Sequence, residues 1–327
     1  MSINRKIYFN EEAHKYTDDI GNQYVSVTTL LGDYHEKFNA KLHARRLAKE
    51  NNGRGIGKYA GKNWKQIIAM WEVDTKKACD KGSAKHNFLE DTIKKSSNFV
   101  VKTIEEHGKG RLYDIQCILT NHDYGRIDLS FFITSGIKDR YPVIYNIIES
   151  LHNKGYRIYA EIGVFWYDLL ISGMVDVLFV RGDEFIILDW KTNKDIMPHI
   201  KDHEGYSIFK PGYFKKDRDG RVVKWVDYVK YMFSPIDHIY DVTGNHYMLQ
   251  LSLYARLIEY YGLTCKELVL CHIRDDVDEY YNKVSNNEIV DVHRIVYHKT
   301  GIEEIIRDRQ DKLFSTRENQ MKLDMWN

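Results

Sequence analysis

An α/β protein built on one mixed sheet is predicted by three features of the 327-residue sequence. From around Ile158, RIYAEIGVFWY, LLISGMVDVLFV and EFIILDWKT are three consecutive strand-like runs rich in β-branched and aromatic residues. HYMLQLSLYARLIEYYG is an amphipathic helix closed by Gly262. KELVLCHI is a further strand, and 301–323 reads as a C-terminal helix. Helices and strands in this order belong on a sheet covered by helices.

Composition narrows the function classes. Hydrophobic residues at 43% and charged residues at 29% are globular values. The net charge of +1 excludes a globally basic, histone-like protein but leaves room for a local basic groove. The four cysteines, Cys79, Cys117, Cys265 and Cys271, form no CxxC pair, so no zinc ribbon or disulfide framework is expected. A reducing, intracellular setting follows as an expectation. The N-terminus lacks a signal-peptide apolar run, and no apolar stretch is long enough to span a membrane.

Ahead of the sheet, the first thirty residues read as a β-hairpin, with KIYF and QYVSVTTL as strands and DDIGN as the turn. Residues 37–65 hold nine basic side chains, among them Arg45, Arg46, Lys58 and Lys62, against one acid, Glu50. A solvated face and a phosphate-contacting surface both fit this balance; Tyr59 and Trp64 are available for base stacking in the second case. Residues 64–95 read as helical with an interruption at DKGS, where Ser83 could cap a new helix. A further helix is expected from Pro142 to Lys154. Asn193 to Asn245 is a long polar excursion containing the hairpin-like FKKDRDGRVVKW. The expected division is an N-terminal hairpin and basic helical region at 1–80 and a core at 81–327 with an insertion at 193–245.

The chemistry concentrates in GMVDVLFVRGDEFIILDWKT. Residues i and i+2 of a strand share a face, so Asp189 and Lys191 project together and Trp190 points the other way. A hairpin brings Asp176 alongside Asp189. Neighbouring carboxylates repel unless a cation sits between them, and oxygen ligands suit Mg²⁺ or Mn²⁺. An adjacent lysine can orient a water and stabilise developing negative charge, the equipment for hydrolysing a phosphodiester. D-x-K alone is also an ordinary edge ion pair. Glu161 either pairs with a cation or joins the acidic cluster. His86 is a core histidine or a ligand, with Gly82 and Ser83 permitting close approach of a phosphate. Gln250 and Tyr254, four apart, share a helix face, where they either hydrogen-bond at the core edge or meet Lys191 and the nucleic-acid backbone.

In that order, Gly82-x-x-x-His86, Glu161, Gly173-x-x-Asp176, Asp189-x-Lys191 and Gln250-x-x-x-Tyr254 resemble the RecB-like exonuclease branch of the PD-(D/E)XK nucleases. The resemblance runs roughly from His86 to Ile273. It implies a restriction-endonuclease-like mixed central sheet flanked by helices, with the N-terminal hairpin and helices as an extension. It implies that Asp176, Asp189 and the Trp190 carbonyl bind metal, that His86 and Glu161 complete or flank the site, and that Lys191 acts on the attacking water. Gln250 and Tyr254 would position lysine and DNA. No iron–sulfur cluster is expected, because the cysteine spacing departs from that of relatives that carry one.

The expected function is therefore Mg²⁺- or Mn²⁺-dependent exonucleolytic hydrolysis of single-stranded DNA or DNA ends. Arg45, Arg46, Lys58, Lys62, Trp64, Ser83 and Tyr254 are the candidate DNA contacts. A structure-specific endonuclease and a non-catalytic DNA-binding protein on a nuclease scaffold are the alternatives. The resemblance further implies a cytoplasmic protein, in the bacterial host if phage-encoded, working in recombination or repair with a helicase, recombinase or replication partner. No GxxxxGK[ST] motor motif is present.

Overall fold

The computed structural model describes residues 5–10, 12–13, 15–50, 57–97, 103–106, 109–120, 125–192, 196, 199–216, 222–278 and 283–324. Arg54 and most of the NNGRGIG break lie outside them, as does the turn of the FKKDRDGRVVKW hairpin. The chain forms β1 (Ile7–Asn10), β2 (Lys15–Asp18), β3 (Gln23–Ser26), α1 (Val27–Leu31), α2 (Ala40–Glu50), α3 (Trp64–Ser96), β4 (Thr103–Glu106) and β5 (Lys109–Leu112). It continues through α4 (Ile115–Thr120), α5 (Leu129–Thr134), α6 (Ile137–Arg140), α7 (Pro142–Asn153), β6 (Arg157–Trp166), β7 (Ile171–Arg181) and β8 (Glu184–Lys191). The remainder is β9 (His199–Lys201), β10 (Ser207–Phe209), β11 (Gly212–Lys216), β12 (Val222–Asp227), α8 (Thr243–Glu259), β13 (Thr264–Val277), β14 (Lys283–Ile295) and α9 (Lys299–Asp324).

The fold is α/β around a 10-stranded mixed sheet, ordered β14-β13-β8-β7-β3-β2-β1-β5-β4, with β6 on the other edge of β7. β13 runs parallel to β8, and β3 parallel to β7. Alternation along the strands sends side chains to two cores. Phe185 and Ile187 join the core that holds α1, α8 and α9; Ile186, Leu188 and Trp190 join the one that holds Leu89 and Ile93 of α3 and Ile144 and Ile148 of α7. α8 buries Leu249, Leu253, Leu257 and Ile258, the stripe its amphipathic spacing predicts.

Several expectations change. SVTTL does not continue the hairpin: the Ser26 hydroxyl accepts the Thr29 N–H at 3.0 Å and starts a short helix. The N-terminal segment supplies three strands, and these belong to the main sheet. DKGS does not interrupt the helix, because α3 is continuous for 33 residues from an Asn63–Gln66 capping box. Gly82 costs helix propensity, but the strand end leaves no room for a side chain: a Cβ there would lie 2.8 Å from Thr192 Oγ1. The anticipated boundary at 80/81 falls inside this helix. The 193–245 excursion is polar in sequence yet contributes to the core, since Ile196, Phe209, Met232, Ile236 and Ile239 are buried with α8. β14 is a strand the sequence reading missed; it runs from an exposed start through half-buried residues to His293 and Ile295, and has no continuous apolar run.

Because Ser83 is mid-helix, Ser83→Pro should cost about 3 kcal/mol or more through a lost hydrogen bond and a ring clash. A helix start there would tolerate proline. Urea denaturation followed by circular dichroism measures the difference.

Candidate active site

The site arises where the sheet changes phase. On β6, Ile158 and Ala160 face the α3 core, but Ile162 and Val164 face the α8 core. On β7, Val177 and Phe179 face the α3 core, but Val175 faces the α8 core. Residues of equal parity therefore change sides at Glu161 and at Asp176. The two positions are opposite each other, since Ala160 pairs with Val177 and Ile162 with Val175. Glu161 takes up the reversal with a left-handed backbone, φ +51°. Such a conformation is costly for a non-glycine residue, and it is concentrated at functional sites.

β8 separates from β7 at the same place. The two strands pair from Arg181–Glu184 to Val177–Leu188. β3 takes the same edge of β7 only at Ile171 and Ser172. Among the described residues, no strand pairs that edge between them. The Trp190 N–H, left without a strand partner from β7, instead donates to Asp176 Oδ2 at 3.2 Å. The Trp190 carbonyl lies 3.1 Å from His86 Nε2. The indole Nε1–H of Trp190 donates to His86 Nδ1 at 3.0 Å. Indole is only a donor, so Nδ1 accepts and Nε2 carries the ring proton toward the carbonyl. His86 thus holds the Trp190 peptide in place. Service as a metal ligand through Nε2 would require the other tautomer and a turned indole.

Asp189 and Lys191 lie on the opposite side of β8 from Trp190, as their spacing predicts. Lys191 Nζ is 3.0 Å from Asp189 Oδ1 and 2.7 Å from Oδ2. Asp189 is 1% exposed. Burial alone would lower the Lys191 pKa, but Asp189 and then Asp176 more than reverse it. The two carboxylates thus favour the charged ammonium of Lys191, which suits it to stabilising negative charge. Burial, then the charge of Asp189, raises Asp176 well above the usual carboxylate range. Burial, then Lys191, lowers His86, in line with a neutral ring.

α8 covers the Asp189 side. The ring of Tyr247 lies 5.2 Å from Lys191 Nζ, a contact the sequence reading missed although 247, 250 and 254 share a helical spacing. Gln250 Nε2 donates to the Tyr254 hydroxyl at 3.2 Å, so Gln250 meets Tyr254 and not Lys191. Tyr254 is buried against Gly173, where a Cβ would come within 2.4 Å of Cε1. Its pKa is raised by burial, with Lys191, Asp189 and Asp176 within electrostatic reach. It belongs beneath the carboxylates, not on a surface open to DNA.

Glu161 has a cationic neighbour and lies within electrostatic reach of Asp176. Lys94, itself buried, is 3.7 Å from Glu161 Oε2 and also pairs with Glu90. The Glu161 charge still raises Asp176. Glu90, unforeseen from the sequence, is pushed up to about 7 by burial first and then by its hydrogen bond with Glu161.

The basic residues lie elsewhere. Trp64 and His86 are 22 residues apart on α3, about 33 Å along a helix rising 1.5 Å per residue. Around Trp64, Arg45 is 5.2 Å and Lys41 and Lys65 are each 5.7 Å from the ring. Arg46 pairs with Glu50 and Lys58 with Asp74. Lys62 is exposed. Tyr59 accepts a hydrogen bond from Trp71 Nε1 at 2.8 Å, which occupies it internally. Ser83 is exposed but caps nothing, and backbone N–H groups inside a helix are committed to the helix.

The donor set fits a hard divalent cation in part. Asp176 Oδ2 is 3.8 Å and the Trp190 carbonyl 3.1 Å from His86 Nε2. Octahedral ligands with bonds of about 2.1 Å stand roughly 3 Å apart. A cation would also relieve the buried repulsion between Asp176 and Asp189. Yet the group of three whose nitrogen and carboxylate atoms all lie within 4.8 Å is His35, Asp241 and His246, among the described residues, and not this one. All four cysteines are free thiols. No described helix is long and apolar enough to cross a membrane. No protein-family model matches the chain, and no curated protein is similar to it.

Two measurements follow. Lys191→Ala strands a buried carboxylate and should cost roughly 3–5 kcal/mol, whereas Asp189→Asn with Lys191→Met should recover most of it; chemical denaturation of the set reads this directly. Glu90 has a folded pKa above its ordinary 4.5, so its contribution to stability is full below about 4.5 and lost as pH rises through about 7. Thermal melts across this range should show a decline that Glu90→Gln flattens.

Proposed function

We propose that the chain is a Mg²⁺- or Mn²⁺-dependent deoxyribonuclease with a restriction-endonuclease-like core, acting on single-stranded DNA or DNA ends. One observation carries the reading. Asp176, Asp189, Lys191 and the Trp190 carbonyl converge at the point where β7 and β8 part, with Tyr254 and Gln250 behind them. The resemblance to RecB-like nucleases supports it because the matched positions are the ones gathered there.

Asp176 and the Trp190 carbonyl would hold the cation, with Asp189 beside them. A divalent ion at such a site supplies charge stabilisation at a phosphate oxygen and lowers the pKa of water. Lys191, held as an ammonium by Asp189, offsets charge developing on the attacked phosphate. His86 fixes the Trp190 carbonyl, and Tyr254 fixes α8 against Gly173. The Arg45, Lys62 and Trp64 region, about 33 Å along α3, would hold substrate about ten base-pair steps from the cut. That contact would be salt-sensitive and indifferent to sequence. A helicase, recombinase or replication protein remains the proposed partner.

The test uses end-labelled single strands, duplexes and closed circles with Mg²⁺ or Mn²⁺. Wild type should shorten linear DNA and spare the circle; cutting of the circle would favour an endonuclease. Asp176→Asn keeps an acceptor for the Trp190 N–H yet removes the charge, and should lower the rate by about 10²–10⁴-fold. Equal cleavage by this variant would remove the site assignment. Binding without turnover by wild type would favour a non-catalytic scaffold.

A further inference from the structure

We propose a second metal site, for a late first-row ion such as Zn²⁺, formed by His35, Asp241 and His246. Their ligand atoms all lie within 4.8 Å of one another, and all three side chains are partly buried. They come from separate segments: His35 follows α1, Asp241 precedes α8, and His246 sits in the first turn of α8.

The chemistry differs from that of the carboxylate site. Two imidazoles and one carboxylate suit Zn²⁺, while Mg²⁺ prefers oxygen and water. His246 Nε2 and Asp241 Oδ1 are 2.8 Å apart, close to the separation of neighbouring ligands on one ion. A hydrogen bond along that line has Nε2–H donating to the carboxylate, and an ion would take the place of that proton. The ring of His35 stacks on His246 with centroids 4.3 Å apart and planes 20° apart, so one ring must turn for both in-plane lone pairs to meet one ion. His35 Nδ1 lies 3.3 Å from the Glu36 carbonyl, which suits an N–H there and leaves Nε2 with its lone pair.

An outer layer of contacts orients these groups. Asp241 keeps only 7% of its side chain exposed, and Lys230 holds its second oxygen at 2.8 Å. Lys230 is held in turn by Glu36 at 3.1 Å. The Asp241 N–H donates to the Lys230 carbonyl at 2.7 Å, fixing the backbone. Outer contacts of this kind set ligand orientation in metal sites.

The ion would clip the segment after α1 to the start of α8. Gln250 lies four residues beyond His246 on that helix, so the clip would steady the element behind the carboxylates. The site stands independently of the proposed nuclease activity.

Purified Asp176→Asn protein, in which the carboxylate site is weakened, is dialysed against Zn²⁺ and its metal content measured by plasma mass spectrometry. One Zn²⁺ per chain is expected, retained in excess Mg²⁺. Cobalt in its place should give the visible bands of a nitrogen-ligated ion. His35→Gln removes a direct ligand and should weaken binding by at least the roughly 10–100-fold that loss of an outer contact costs. His35→Gln with His246→Gln should remove it. If the double variant does not fold, His35→Gln alone decides. Absence of bound Zn²⁺, or undiminished binding by folded His35→Gln protein, would leave Asp241 as a structural ion pair and overturn the proposal.

Discussion

The pleat reversal shared by β6 and β7 is the constraint on which the rest of the site depends. Neither strand gains an extra residue there: Ala160–Val177 and Ile162–Val175 keep one register on either side, so both strands change faces together. Here the exchange occurs at facing residues, Glu161 and Asp176, and Glu161 absorbs it with a left-handed backbone. The same break releases β8 from β7 beyond Val177–Leu188. The peptide of Trp190 is then satisfied by Asp176 and His86 instead of by a strand. A structural necessity and a cluster of polar groups are thus one event.

Electrostatics in that gap are unequal by design of the packing. Asp189 is buried and paired directly with Lys191 at 2.7 Å, whereas Asp176 accepts a backbone N–H, lies 3.8 Å from His86 Nε2 and feels Lys191 without a direct ion pair. One carboxylate is settled and the other is held in an environment that disfavours its charge. This asymmetry is what a cation would relieve. It also favours the charged form of Lys191. Separation of the basic surface near Trp64 from this gap follows from the unbroken α3, which behaves as a rigid spacer.

Much of the core was legible because it obeys a simple period. The runs around β6, β7, β8 and α8 have apolar alternation or apolar stripes strong enough to name their type, and i, i+2 geometry placed Asp189 with Lys191. The failures are local and physical. VTTLL is β-branched, yet one hydroxyl from Ser26 capped it into a helix. Gly82 and Ser83 resemble a boundary, but contact with Thr192 makes glycine useful inside a helix. β14 was invisible because most of its side chains are exposed or half-buried, which leaves no continuous apolar run.

What the sequence by itself determined is the identity and order of the chemical groups, and which face of its own element each one shares. What only the tertiary structure decided is which groups meet across elements. No local pattern announces that His86 braces the Trp190 peptide, that Tyr254 fills the space left by Gly173, or that Glu90 and Lys94 claim Glu161. Nor does any pattern unite His35 with Asp241 and His246, more than two hundred residues later. Such contacts are set by chain crossings and by the one place where the sheet breaks phase, and these depend on packing over the whole molecule.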